Sequence, residues 1–186
     1  MTIYHINQAG FADQAQFIAS PNFDERPLNN KSGEINEIKL IVIHNISLPP
    51  GQYGGNGIIE LFTNRLDADE HPYYAQIHSY KVSAHFLIRR NGALLQFVSC
   101  LKRAWHAGQS TWQGRERCND FSVGIELEGS DFEAFEPAQY LTLNNLIAAI
   151  SKAYPIQSIV GHSDIAPDRK TDPGPYFDWQ QIKNQH

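Results

Sequence analysis

Fifteen consecutive residues, Gly161-His162-Ser163-Asp164-Ile165-Ala166-Pro167-Asp168-Arg169-Lys170-Thr171-Asp172-Pro173-Gly174-Pro175, hold one imidazole, three carboxylates and a lysine. Their three prolines exclude an uninterrupted helix or a central strand, so the stretch reads as a stiff surface loop. Zinc and similar borderline cations bind such a ligand set once a further donor arrives from elsewhere in the chain. Without that donor the loop is a proline-stiffened turn whose charges face water.

A donor of the right kind is His44. It closes the run Ile38-Lys39-Leu40-Ile41-Val42-Ile43-His44, whose unbroken apolar centre predicts a strand buried on both faces. A strand end opening into a loop is where α/β folds place ligands, although a histidine there can also be a hydrogen-bonded cap. His162 stands in the same position after the short strand pattern Ser158-Ile159-Val160-Gly161. If the two strands are neighbours, both imidazoles reach one metal. An aspartate from residues 164–172 then makes His₂Asp plus water, the open coordination of a catalytic zinc. Zinc lowers the pKa of its water to about 7 and polarises a substrate carbonyl. A base is available on Phe121–Gly129, which alternates with period two: Val123, Ile125 and Leu127 face one side, Gly124, Glu126 and Glu128 the other. The acidic face is either solvent-facing or the floor of a cleft, and periodicity does not choose between the two glutamates. Lys170 can steady a developing oxyanion.

The remaining elements must position these groups. Residues 1–37 predict an extended, turn-rich arm lying across the surface. After Gly54-Gly55-Asn56-Gly57 comes a short helical pattern with Ile58, Leu61 and Phe62; residues 67–80 read as a loop. Val82–Ile88 and Leu94–Val98 form a hairpin about Arg90-Asn91-Gly92, with His85 in a core or supporting role. Residues 102–120 read as a long polar loop whose Trp105 and Trp112 either pack a sugar or peptide or anchor the loop. Glu136-Pro137 opens the strongest helix, which Pro155 follows, with Tyr140, Leu143, Ile147, Ile150 and Tyr154 on its buried stripe. A short helix is expected over 177–182.

At 186 residues, with a formal net charge of −5, the chain predicts one α/β domain and no phosphate-gripping nucleic-acid surface. The N-terminus lacks a basic and then apolar leader, and nothing approaches an apolar run of about 18 residues. The expectation is therefore a cytoplasmic protein with no membrane partner and no obligate protein partner. Cys100 and Cys118 are read as reduced thiols.

The segments His44–Gly51, Ser83-Ala84-His85, Arg103–Gly108, Gly114–Gly129 and Gly161–Pro175 together resemble the zinc-dependent N-acetylmuramoyl-L-alanine amidases, in particular their cytoplasmic anhydro-muropeptide branch. Phage T7 lysozyme and the peptidoglycan recognition proteins belong to the same family. The resemblance runs from about residue 15 to residue 180. It implies a central mixed β-sheet flanked by helices, forming a single zinc amidase domain over 1–186 with residues 1–37 packed on it as an arm. It implies one zinc per chain on His44, His162 and Asp172, with Glu126 as general base and Lys170 steadying the tetrahedral intermediate. Asn45, Trp105 and Arg117 are implied to line the substrate cleft, and Lys81 departs from an arginine in close relatives. The implied substrate is an anhydro-muropeptide, cut between the muramic lactyl group and L-alanine. Another implied possibility is a non-catalytic module of the same fold that binds peptidoglycan fragments.

Overall fold

The computed structural model describes residues 3–28, 33 and 36–183. Its centre is β3 (Leu40–Ile46), where Leu40, Ile41, Val42 and Ile43 are all essentially inaccessible, as a two-sided apolar run requires. β3 lies between β9 (Ser122–Glu128) and β10 (Ser158–Gly161), parallel to both. Beyond β9 come β4 (Phe86–Ile88), also parallel, then β5 (Leu94–Gln96), antiparallel to β4. The strand β1 (Gln16–Phe17) completes a mixed six-stranded sheet of order β1-β5-β4-β9-β3-β10.

The pleat sorts side chains onto two faces. Ile41 and Ile43 of β3, with Val123, Ile125 and Leu127 of β9, share a core with Leu143, Ile147 and Ile150 of α3 (Pro137–Ala153). Leu40, Val42 and His44 point the other way, as do Gly124, Glu126 and Glu128. On that second face Leu87, Leu95 and Phe97 pack against Ile58, Leu61 and Phe62 of α1 (Gly57–Phe62) and Tyr74 and Ile77 of α2 (Pro72–Ile77). The short α4 (His162–Ile165) follows β10 directly. Cys100 and Cys118 are free and buried.

Several expectations are corrected. Residues 67–80 are not all loop: α2 starts with Pro72 at its first turn, and the His71 ring accepts the Tyr73 N–H at 3.0 Å. The segment 102–120 is not one loop either. β6 (Lys102–Ala104) pairs with β2 (Phe23–Glu25) of the arm, while β7 (Thr111–Trp112) and β8 (Arg115–Glu116) form a hairpin. A single 3₁₀ turn, Trp179–Gln181, stands where a terminal helix was expected. The arm does more than lie on the surface. It contributes β1 to the main sheet and drives the Arg26 guanidinium inside, onto the carbonyls of Cys100, Asn119 and Ser122.

Candidate metal centre and cleft

Register builds the site. His44 stands opposite Glu126 on β9, and Ile43 stands opposite Gly161 on β10, so His162 begins where its strand draws level with His44. Partners across parallel strands share a face, which sets Glu126, His44 and His162 in a row on the side away from α3. The loop after α4 then returns Asp172 to this row, where Ser163 N–H donates to its carbonyl at 2.9 Å.

His44 Nδ1, His162 Nδ1 and Asp172 Oδ2 form a nearly equilateral triangle, with separations of 3.0, 2.9 and 3.1 Å. Donors at tetrahedral angles about 2.0–2.2 Å from a zinc ion stand roughly 3.3–3.5 Å apart, so only a few tenths of an ångström separate this triangle from a ligand set. Burial pushes His44 down to about 4, against the opposing pull of Asp172, so it is neutral and offers a lone pair at pH 7. Burial alone would raise Asp172, but contacts with His162 and His44 hold it below the ordinary carboxylate range. The outer nitrogen of His162 faces the Ala107 carbonyl at 3.1 Å, an arrangement that turns its Nδ1 lone pair inward. Two imidazoles, one carboxylate and an open side fit a catalytic divalent ion.

The two glutamates left open by periodicity differ sharply in surroundings. Glu128 accepts hydrogen bonds from Arg89 and the Gly54 N–H at 2.7 Å and from the Arg90 N–H at 3.1 Å. It is a structural ion pair that ties the 50–57 loop to the sheet. Glu126 is only 8% exposed, and its Oε2 is buried with no hydrogen-bond partner among the described residues. Burial, then the proximity of Asp172, raises its pKa well above the ordinary value, against the opposing charge of Lys170. A buried, unpaired carboxylate is costly and marks a site with work to do.

A cleft of about 560 Å³ opens over this row. Its lining includes Asn45, Trp105, His106, Asp131, Phe132 and Lys170. Asn45 spends both amide hydrogens inside the protein, on Asp131 Oδ1 at 2.6 Å and the Pro173 carbonyl at 3.0 Å. Only its oxygen remains to meet a ligand. Asp131 also accepts from Thr171 Oγ1, so it fastens the Lys170–Pro173 loop to the strand carrying His44. Trp105 turns its indole N–H to Asp24 at 3.2 Å. Arg117 is not among the cleft-lining residues; its exposed guanidinium pairs with Asp120 at 3.3 Å. Lys81 is exposed between the lining residues Tyr80 and Val82. Asp164 accepts the Gly161 N–H at 2.7 Å and Asp168 is exposed, which leaves both outside the triangle. A larger groove of about 870 Å³ beside β10 holds none of these groups except Asp164.

Sequence reasoning gave no role to His106, Arg26 or Asp131. His106 Nδ1 lies 2.9 Å from His44 Nε2, and its ring fits because position 124 is glycine: a Cβ there would fall 2.4 Å from the ring. No local pattern announces that packing, since the partners are brought together by strands far apart in sequence.

Two imidazoles and a carboxylate around one point, with an unpaired buried glutamate alongside, define the equipment of a metal-assisted hydrolase. The chain belongs to the N-acetylmuramoyl-L-alanine amidase family, whose model matches residues 34–175. It is 51% identical over 176 residues to the 1,6-anhydro-N-acetylmuramyl-L-alanine amidase AmpD of Salmonella typhimurium strain SL1344, covering 94% of this chain and 91% of that protein. A crystal structure of a selenomethionine AmpD derivative superposes with a TM-score of 0.88 at 49% identity, covering 98% of this chain and 97% of that one. The amidase AmiD of Escherichia coli, solved as a complex with anhydro-N-acetylmuramic acid-L-Ala-D-γ-Glu-L-Lys, matches with a TM-score of 0.57 at 32% identity. That match covers 95% of this chain and 63% of that one. No helix of the described residues is long and apolar enough to cross a membrane.

Proposed function

We propose that this protein hydrolyses the amide between the lactyl group of 1,6-anhydro-N-acetylmuramic acid and the L-alanine of muropeptides, as a step of peptidoglycan recycling. The observation that carries the reading is the unpaired Oε2 of Glu126, in register with one corner of the His44–His162–Asp172 triangle. Its support is the AmpD likeness over nearly the whole chain and the anhydro-muropeptide in the AmiD complex. The reading includes one domain with its arm, supported by β1 joining the main sheet. It also places the work in the cytoplasm, as in the branch the sequence resembles.

His44, His162 and Asp172 would hold one zinc ion, which when bound supplies Lewis acidity toward a carbonyl and a water. Glu126 Oε2 takes the proton of the attacking water and returns it to the departing nitrogen of L-alanine. A raised pKa suits both halves of that exchange, because the group must hold the proton between them. Lys170 lies on the cleft, and its charge lowers both Glu126 and His44; its ammonium offsets the negative charge that grows on the carbonyl oxygen. The Asn45 oxygen is left to accept an N–H from the substrate. A non-catalytic binding module has no use for an unpaired buried carboxylate.

Purified protein should contain one zinc per chain and release free peptide from a synthetic anhydro-muramyl tripeptide. Chelation should abolish release and added zinc should restore it. Zinc without cleavage would remove the substrate assignment; neither zinc nor cleavage would leave the binding module. Lys170→Ala should lower kcat by about 10²–10³-fold with KM little changed, as expected for a group stabilising an oxyanion. An effect confined to KM would make Lys170 a substrate-binding residue instead.

A further inference from the structure

We infer that His106 is a positioning residue for the metal centre, able to accept the proton of His44 on its outer nitrogen so that the inner nitrogen is left bare for a metal. The inference rests on the reading of His44 as a ligand. A neutral imidazole has one N–H and one lone pair, so whatever the outer nitrogen meets decides what the inner one offers. For His162 the backbone decides, because the Ala107 carbonyl can only accept. Among the described residues no carbonyl is hydrogen-bonded to the outer nitrogen of His44. It meets another imidazole nitrogen, His106 Nδ1, at 2.9 Å. The opposite nitrogen of His106 lies 3.1 Å from Ser122 Oγ, a group able to donate or accept.

These three side chains therefore form a relay with two directions. In one, His44 Nε2–H donates to His106 Nδ1 and His106 Nε2–H donates to Ser122 Oγ, leaving His44 Nδ1 bare for a metal. In the other, Ser122 Oγ–H donates to His106 Nε2 and His106 Nδ1–H donates to His44 Nε2. His44 Nδ1–H then points at Asp172 Oδ2, 2.9 Å away, and the ligand position is closed by a proton. Each residue carries the same number of protons in both directions, so the change needs no gain or loss of charge.

The frame around the relay is rigid. The His106 and Ala107 N–H groups both donate to the Asn119 side chain, at 3.3 and 2.8 Å. Arg26 grips the Asn119 and Ser122 carbonyls at 3.1 and 2.8 Å, so one buried cation from the arm braces both ends. Gly124 leaves the room for the imidazole, and the His44 and His106 rings meet edge-to-face with centroids 5.1 Å apart.

The test compares zinc affinity, by competition with a chelator, in wild type, His106→Phe and His106→Gln. Phenylalanine keeps a ring against Gly124 but has no acceptor; glutamine supplies an oxygen that can accept the His44 proton. His106→Phe should bind zinc about 10–100-fold more weakly, the usual cost of losing an outer partner of a ligand, and His106→Gln should recover most of that loss. Equal affinity in wild type and His106→Phe overturns the role of His106, as does an equal loss in both variants. Wild type that takes up no zinc overturns the metal reading beneath it. If His106→Phe does not fold, nitrogen-15 NMR of zinc-loaded wild type decides: the His106 proton on Nε2 supports the relay, and on Nδ1 it overturns it.

Discussion

Glu126→Gln should keep its zinc and lose about 10²–10⁴ in kcat, the span that a positioned acid–base group contributes. Glutamine matches the shape of glutamate but cannot take a proton from water or return one to the leaving nitrogen. Because Glu126 is outside the donor triangle, metal content should stay at one per chain, which separates loss of chemistry from loss of the site. Glu128→Gln should behave differently. Its carboxylate is spent on Arg89, Gly54 and Arg90, so that change should cost stability and leave the proton transfer intact. If Glu126→Gln retains full turnover, the base has been misassigned.

The same residue makes a stability prediction with a definite sign. The folded-state pKa of Glu126 is raised by burial, so between its unfolded value near 4.5 and the folded value the native state holds the extra proton. Stability then falls as pH rises through that window, because the unfolded state ionises first. In metal-free protein the melting temperature of wild type should therefore drop more between pH 5 and pH 8 than that of Glu126→Gln. Parallel curves would show that Glu126 ionises in the folded state without penalty. The site is destabilising by design of its chemistry: an unpaired carboxylate is tolerated where it is needed.

What the sequence made legible follows the physics of short range. The apolar run Leu40–Ile43 announces a doubly covered strand because both faces must be dry, and β3 is buried on both. The period-two pattern of β9 correctly assigns Val123, Ile125 and Leu127 to one side. It cannot rank Glu126 against Glu128, since both have the same parity. What separates them is Arg89, which lies 39 residues earlier in the chain and pairs with Glu128. The pairing of β2 with β6 was equally hidden, because Asp24 and Arg103 meet across 79 residues. A short helix such as α2 falls below the length at which periodicity speaks, and only Pro72 hints at it. The row of Glu126, His44 and His162 was readable as a conditional: it follows once β9, β3 and β10 are neighbours, and they are. His106 was beyond reach, because its meaning depends on Ser122, Gly124 and Arg26 arriving together.

Asp172→Ala should bring zinc content well below one per chain and reduce turnover by about 10⁴-fold or more, since the ion contributes several kcal/mol to the transition state and each 1.36 kcal/mol is tenfold. The side chain is the anionic corner of the triangle, touching both Nδ1 atoms at 2.9 and 3.1 Å. Without it two imidazoles face each other at 3.0 Å, a pair with no anionic donor and too few ligands to keep a divalent ion against a chelator. Loss of the loop rather than of the ligand is the competing cause, because the Asp172 carbonyl also accepts the Ser163 N–H. That backbone bond survives any side-chain change, and two further variants separate the causes. Asp172→Asn keeps the shape without the charge and should lose the metal like alanine; Asp172→Cys restores an anionic donor of another element and should recover zinc. A full zinc complement in Asp172→Ala would move the ligand elsewhere on the loop. Asp164 would then have to leave the Gly161 N–H it holds at 2.7 Å, which would free a buried donor and show as a fall in stability.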